Sequence, residues 1–144
     1  MRISKECEEK LKSYEGLELE AYLCPAGVPT IGWGHTEDVR MDMVITVEKA
    51  QELFEQDIEE VERPLSKEPY ADSLRQGQWD ALVSFIYNLG WGNYKTSTLR
   101  KRILEDIDHD DIPNQFKRWN KSNGKVLQGL VKRWEWEADM YTHG

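Results

Sequence analysis

The 144-residue sequence predicts an α+β fold that is mainly helical, with two lobes: a small β-hairpin lobe and a larger helical lobe joined by a long helix. Apolar residues recur at helical spacing through most of the chain, and only residues 16–36 have the short apolar runs and turn residues of a hairpin. The length and the 39% of apolar residues suffice for a single domain, residues 1–144, with one hydrophobic core.

Two helices are predicted from their caps. The first covers residues 4–15, with Ser4 as its N-cap and glutamates in its first turns. The second is the long connecting helix, residues 46–63, with Thr46 as its cap. We expect it to end before Pro64, because proline disfavours a helical conformation in the preceding residue.

The small β-containing lobe is placed at about residues 14–45. Within it, two short apolar runs at 21–23 and 28–31 flank the turn residues 25–27, which is the pattern of a hairpin. We expect no other β structure in the chain.

The larger lobe is predicted to contain residues 64–144 together with the N-terminal helix at 4–13. A helix from about residue 73 to residue 89 is apolar on much of its surface, and we expect it to form the buried centre of the fold. Further helices are predicted at about residues 97–104, 111–119 and 127–141.

The net charge of −8 weighs against nucleic acid or an anionic membrane as the main partner. The charge is uneven, since residues 1–94 hold 9 basic and 19 acidic residues whereas residues 95–133 hold 10 basic and 5 acidic ones. No apolar run is long enough to span a membrane, and the charged N-terminus lacks the apolar segment of a signal peptide. We expect a monomer that is made in the cytoplasm and does not insert into membranes.

The two cysteines and three scattered histidines have neither the spacing of a disulfide framework nor that of a metal site. A bridge between Cys7 and Cys24 is not expected, because Cys7 lies eight residues before Glu15, roughly 12 Å along the same helix. We therefore expect chemistry without a metal or a cofactor.

Three residues around the hairpin could carry chemistry. Glu15 ends the first helix at the junction with the hairpin, where partial desolvation would make its carboxyl group a general acid. Cys24 and Thr30 follow on the hairpin itself, and a glycosidase needs a base or nucleophile opposite its acid. Taken alone, Glu15 is more typical of a solvated surface residue, and Cys24 of a small buried apolar one.

The motifs around these residues closely resemble the phage-type lysozymes of glycoside hydrolase family 24. The similarity begins with Glu15-Gly16 and the segment TIGWGHT at residues 30–36. It continues through nearly the whole chain, in LFEQDI (53–58), ALVSFIYNLG (81–90), STL (97–99) and GLVKR (129–133). Several linked motifs at matching intervals are more specific than any one of them.

The resemblance implies a role for each matching residue in the hairpin lobe. Glu15 takes the position of the family's proton donor, and Thr30 that of the threonine that helps to hold the attacking water. Cys24 stands where most members have the catalytic aspartate, although some members have cysteine there. His35 is implied to pair with Asp57 on the connecting helix, which is a structural role.

Outside that lobe, Asn88 is implied to contact the sugar chain, with a helix C-cap as the alternative. The tryptophans at 119, 134 and 136 could stack on sugars, but tryptophans at helical spacing more often belong to a core. Lys132 and Arg133 belong to the basic segment that we expect to face an anionic glycan.

The resemblance implies a lysozyme-like fold with a cleft between its lobes and an endolysin of a phage or prophage. Such an enzyme hydrolyses the β-1,4 bond between N-acetylmuramic acid and N-acetylglucosamine in bacterial peptidoglycan. It would act on the periplasmic wall after a separate protein opens the inner membrane. Two alternatives stay open: a lytic transglycosylase with Glu15 as its only acid, and a peptidoglycan-binding protein without turnover.

The cysteine at position 24 also leads to a prediction about the pH optimum of activity. Only the thiolate is a base or nucleophile, and a free thiol has a pKa of about 8.5. We expect a nearby ionised Glu15 to raise the pKa of Cys24 further, so that the pH optimum lies above that of aspartate relatives.

Overall fold

The computed structural model describes residues 1–118, 121–122, 125–126 and 128–144. These residues group into two compact units. The helical unit contains Met1–Cys7 and Val61–Gly144, and the hairpin unit contains Glu8–Glu60. In this part of the chain, no helix is long and apolar enough to cross a membrane.

The predicted mainly helical α+β fold is confirmed. The helices are α1 (Lys5–Glu15), α2 (Val47–Leu65), α3 (Gln76–Leu89), α4 (Trp91–Lys95), α5 (Thr98–Glu105), α6 (Ile112–Lys117) and α7 (Gln128–His143). The strands are β1 (Glu18–Leu23), β2 (Pro29–Gly32), β3 (Lys121–Ser122) and β4 (Lys125–Val126). The predicted caps form, since the Ser4 hydroxyl accepts from the Cys7 N–H at 3.1 Å and that of Thr46 from the Lys49 N–H at 3.1 Å.

The hairpin unit is built on the antiparallel pair β1–β2, in which Tyr22 lies opposite Thr30. A third segment extends this sheet, because the Ala21 N–H donates to the Met43 carbonyl and the Ile45 N–H to the Leu19 carbonyl. The core of the unit consists of fully or nearly fully buried apolar side chains: Leu11, Ile31, Ala50, Leu53, Phe54 and Ile58.

The helical unit is centred on α3, whose residues 77–86 are all buried, as the sequence predicts. Two buried carboxylates fasten the N-terminal residues to this unit. Asp80 accepts from the backbone N–H of Ser4 at 3.0 Å, and Glu62 accepts from the backbone N–H of Ile3 at 2.8 Å. Buried charges are stable only when such donors satisfy them.

The boundary between the units differs from the predicted lobes. The sequence assigns residues 4–13 to the helical lobe, but the part of α1 from Glu8 onward groups with the hairpin. The reason is packing, since the ammonium of Lys12 lies 4.3 Å from the ring centre of Trp33 and 5.2 Å from that of Phe54.

Three further elements depart from the predictions. Helix α2 continues past Pro64 to Leu65, whose fully buried side chain anchors the last turn in the core. Helix α4 lies between the helices predicted at about residues 73–89 and 97–104, where no helix is predicted. Its Tyr94 is fully buried, with its hydroxyl hydrogen-bonded to that of Tyr70. The short pair β3–β4 shows that the hairpin unit is not the only β structure.

Candidate active site

The turn between β1 and β2 positions the thiol of Cys24. The Gly27 N–H donates to the Cys24 carbonyl at 2.8 Å, and the Cys24 N–H donates to the Val28 carbonyl at 3.0 Å, which closes a three-residue loop. Gly27 has φ of 79°, a conformation that favours glycine. Cys24 thus occupies the first position of the turn, where aspartate, asparagine and serine are preferred because their side chains accept from the turn's own N–H groups.

The same turn lowers the pKa of the Cys24 thiol below its ordinary value. The largest cause is the backbone N–H of Val28, and the N–H groups of Ala26 and Gly27 and the hydroxyl of Thr30 act in the same direction against partial desolvation. All of these donors stabilise the thiolate. The pKa of Cys24 is therefore lowered and not raised as expected, because the hydrogen bonds of the turn dominate.

Thr30 is 3% exposed, and its hydroxyl donates to the Val28 carbonyl at 2.9 Å. A hydroxyl has one proton, so Thr30 donates either to this carbonyl or to the Cys24 thiolate, while its lone pairs accept from a further donor. The structure thus brings Thr30 and Cys24 together at one end of the hairpin.

Glu15 is the last residue of α1 and is half-buried. Its carboxylate lies against the backbone of Gly34, so that a Cβ at position 34 would be 2.5 Å from Oε2. Gly34 has φ of 77° in the segment that follows β2. The helix end and this glycine segment together hold the carboxylate within the hairpin unit.

Tyr22 is a site residue that the sequence analysis missed. Burial raises the pKa of its hydroxyl, and the charges of Glu15, Glu18 and Cys24 raise that pKa further. The phenol therefore lies within electrostatic range of both candidate catalytic groups. Strand alternation was the available signal, because residues 22 and 24 project from the same face of an extended strand.

His35 and Asp57 lie together, with 2.8 Å between Nδ1 and Oδ2. His35 is 5% exposed. Burial raises the pKa of the Asp57 carboxyl against the opposing hydrogen bond and charge of His35. The pair links the end of the hairpin to α2 within the hairpin unit, in agreement with the structural pairing that the resemblance implies.

Asn88 belongs to the helical unit, in the last turn of α3. Its Nδ2 is buried and has no hydrogen-bond partner within the described residues. The neighbouring Leu89 carbonyl accepts from the Asn93 side chain at 2.6 Å. Asn93, rather than Asn88, therefore caps this helix end, and the Asn88 amide keeps an unused donor.

The expected exposed basic surface includes one residue that is buried. Arg133 is 4% exposed and donates to the Ser84 carbonyl at 3.1 Å, so it does not face a glycan. Trp134 is 1% exposed and belongs to the core, while Trp119 lies outside the described residues. Both cysteines are free thiols, and the described residues hold no cluster of side chains suited to a metal ion.

Comparison with known proteins places the chain in a family. A model of the phage lysozyme family, described as "Phage lysozyme", matches residues 12–137. The chain belongs to the phage lysozyme family. The predicted resemblance, and with it the prediction of a lysozyme-type glycoside hydrolase, is confirmed.

Individual relatives agree with this family. The chain is 38% identical over 145 residues to an endolysin of Acyrthosiphon pisum secondary endosymbiont phage 1, covering 98% of both chains. It is 42% identical to an endolysin of Bacillus phage B103, but it spans only 55% of the length of that relative. Among solved structures, an endolysin from Escherichia coli O157:H7 phage FAHEc1 matches with a TM-score of 0.81 and 34% identity, over 99% of this chain and 94% of that one.

A second solved structure broadens the range of relatives. The muramidase domain of SpmX from Asticaccaulis excentricus matches this chain with a TM-score of 0.81 and 32% identity, and the match covers 99% of both chains. The chain is thus similar both to proteins named endolysin and to a domain named muramidase.

Proposed function

We propose that the protein is an endolysin that hydrolyses the β-1,4 bond between N-acetylmuramic acid and N-acetylglucosamine in bacterial peptidoglycan. The observation that carries this proposal is the set of donors around Cys24. Three backbone N–H groups and the Thr30 hydroxyl lower the pKa of the thiol, which favours at this position the negative charge for which a glycosidase otherwise uses a carboxylate.

In the proposed reaction, the protonated carboxyl group of Glu15 donates its proton to the glycosidic oxygen as the bond to the muramic acid C1 breaks. The Cys24 thiolate either removes a proton from a water that attacks C1, or attacks C1 itself. The first course inverts the sugar configuration, and the second retains it after water hydrolyses the thioglycosyl intermediate. Thr30 orients the water through the lone pairs of its hydroxyl.

Asn88 is proposed to bind the sugar chain through its amide, and the His35–Asp57 pair to keep the hairpin unit in place. The unused donor at Nδ2 of Asn88 supports the first role, because a buried N–H without an acceptor is costly unless a ligand satisfies it. We further propose that the protein acts as a monomer on the periplasmic wall, after a separate protein opens the inner membrane.

The test is mass spectrometry of the sugar ends released from purified peptidoglycan by the reduced protein. Reducing muramic acid ends are expected, and they should be absent with Glu15→Gln and Cys24→Ser. Cys24→Asp is the matched variant that restores the carboxylate and should retain activity. Anhydro-muramic ends would instead identify a lytic transglycosylase, and binding without release from a folded sample would identify a non-catalytic protein.

A further inference from the structure

The helical unit contains a groove of about 420 Å³ that combines an aromatic wall with a cluster of cations. It lies among the end of α2, helix α4 and helix α5, away in sequence from the residues that carry the proposed reaction. Its lining includes Pro64, Lys67, Glu68, Trp91, Lys95 and Arg100.

One of the three cations is already neutralised. Arg100 forms a bidentate pair with Glu68, with Nε 2.9 Å from Oε2 and Nη2 3.2 Å from Oε1. Lys67 and Lys95 are exposed, and neither forms a salt bridge within the described residues. The groove therefore carries a net charge of about +2 in a protein whose net charge is −8, and it attracts anions locally.

The aromatic wall is fixed in position. Trp91 is half-buried and stacks on Tyr94, with ring centres 5.3 Å apart and an interplanar angle of 13°. Tyr94 is itself fully buried, hydrogen-bonded to Tyr70 and packed edge-on against Phe85. A tryptophan held this rigidly loses little entropy when a ligand covers it, which favours binding.

We infer that this groove is a second glycan-binding site, which takes a sugar strand bearing carboxylate groups. Trp91 covers the apolar face of a sugar ring, while Lys67 and Lys95 pair with carboxylates of the same strand. The inference rests on the proposed function for the choice of a wall glycan, and it adds a binding site made of residues that perform no step of the proposed reaction.

The test is a titration of the ¹⁵N-labelled Glu15→Gln protein, which prevents turnover, with a soluble muramyl-peptide fragment. We expect shifts of the Trp91 indole N–H and of the Gly92 and Lys95 amides. The double variant Lys67→Gln with Lys95→Gln should weaken binding at these signals by about 3- to 30-fold, the effect of two exposed charge pairs. The double variant Lys5→Gln with Lys49→Gln makes the same charge change at exposed lysines outside both the groove and the basic segment, and it should leave the affinity unaltered.

Two further ligands separate the contributions. A neutral N-acetylglucosamine oligomer should shift the Trp91 indole with lower affinity than the charged fragment, and equal affinities would overturn the role of the lysines. Inorganic phosphate should not shift the indole, and the same shifts at similar affinity would reduce the groove to a general anion site and overturn the inference. Trp91→Phe should weaken the binding of both sugars, and circular dichroism checks that it folds.

The outcome is independent of the proposed reaction. The titration needs no turnover, so a wild-type protein that releases no sugar ends would overturn the proposed function and leave the groove to be judged by its own shifts. Conversely, an unshifted Trp91 signal in a protein that releases muramic acid ends would overturn only this inference.

Discussion

The backbone of Gly34 lies so close to the carboxylate of Glu15 that a side chain at position 34 would occupy the place of Oε2, with its Cβ at 2.5 Å. The carboxylate of Glu15, the candidate acid, can occupy this place because Gly34, two residues beyond β2, has no side chain. This contact joins the end of α1 to the segment that also carries His35.

Gly34→Ala should damage activity more than stability. The positive φ of 77° costs alanine about 1–2 kcal/mol, whereas displacing the carboxylate by about 1 Å lowers kcat by roughly 100-fold. Gly16→Ala is the control, because its φ is 70° and, beyond its two chain neighbours, no atom lies within 4 Å of an added Cβ. Urea unfolding and muropeptide release measure the two effects, and equal activity in both variants would contradict this role of Gly34.

The two thiols should react with iodoacetamide very differently. Cys24 should react readily, because it is partly exposed and the turn lowers its pKa, and its alkylation should abolish activity. Cys7 should remain unmodified in the folded protein, because it is fully buried and burial raises its pKa. Peptide mass mapping after brief treatment checks both, and modification of Cys7 first would contradict the expectation.

The pH dependence should follow the thiol. Activity that needs the Cys24 thiolate rises as the pH increases through the pKa of that thiol, which lies below its ordinary value. In Cys24→Asp this rise should move to lower pH, since a carboxyl group ionises near 4. Profiles of both proteins, together with the pH dependence of alkylation, test the assignment. If the rise in activity of Cys24→Asp occurs at the same pH as in the wild type, the rise reports the ionisation of another group.

Asn88→Ala should separate binding from folding. The Nδ2 atom is buried without a partner among the described residues, so its removal should leave stability unchanged or slightly higher. The KM for a soluble glycan fragment should rise, by about 3- to 10-fold for the loss of one hydrogen bond. Asn93→Ala is the comparison that should lose stability, because that side chain caps the Leu89 carbonyl. Lower stability with an unaltered KM in Asn88→Ala would make its role structural.

Glu137 should make the stability of the protein depend on pH. It is fully buried, and burial raises its pKa to about 7 against the opposing charge of Arg133, 3.7 Å away. Because the pKa is higher in the folded than in the unfolded protein, the folded protein binds this proton more tightly, and protonation stabilises the fold. This stabilisation is complete below the unfolded pKa of about 4.3 and is lost as the pH rises through the folded pKa. The loss is therefore expected between about pH 4 and 7, at about 1 kcal/mol per pH unit.

The measurement is the unfolding free energy of the wild type and of Glu137→Gln from pH 4 to pH 8. The wild type should lose stability relative to the variant as the pH rises, and Glu135→Gln, at an exposed position of the same helix, controls for the change in charge. A constant difference between the wild type and Glu137→Gln across this range would show that Glu137 does not titrate in it.

His35 and Asp57 should be energetically coupled. Removing either partner leaves a largely buried polar group, so His35→Asn and Asp57→Asn should each destabilise by about 1–3 kcal/mol. The double variant should lose less than the sum, with a coupling energy of about 0.5–3 kcal/mol. Denaturant unfolding of the four proteins measures it, and strictly additive losses would mean that the pair contributes no net stability.

Local patterns in the sequence predict much of this fold. The caps at Ser4 and Thr46, the buried α3 and the single long hairpin all follow from short-range preferences that packing reinforces. Helix α4 does not, because two glycines lie in or beside it and its stabilisation comes from tertiary contacts such as the burial of Tyr94. Tertiary packing overrides a weak local signal there.

The candidate site likewise has features that the sequence predicts and features that it does not. The family resemblance points to Glu15, Cys24 and Thr30 as candidates, but it does not reveal the lowered pKa of Cys24, because that pKa depends on N–H groups that converge only when the turn has formed. Charge counting likewise places Arg133 on a basic surface, although it is buried beside Ser84. Residue type alone does not reveal which side chains point inward.

The division of the chain between the two units has a consequence for the order of folding. The hairpin unit is one continuous stretch, whereas the helical unit requires Ser4 to meet Asp80, 76 positions away. Closing so large a loop before any contact compensates for it is slow. Backbone amides of the hairpin unit should therefore gain protection first in pulsed hydrogen exchange, with the N-terminal residues joining α3 in a later kinetic phase.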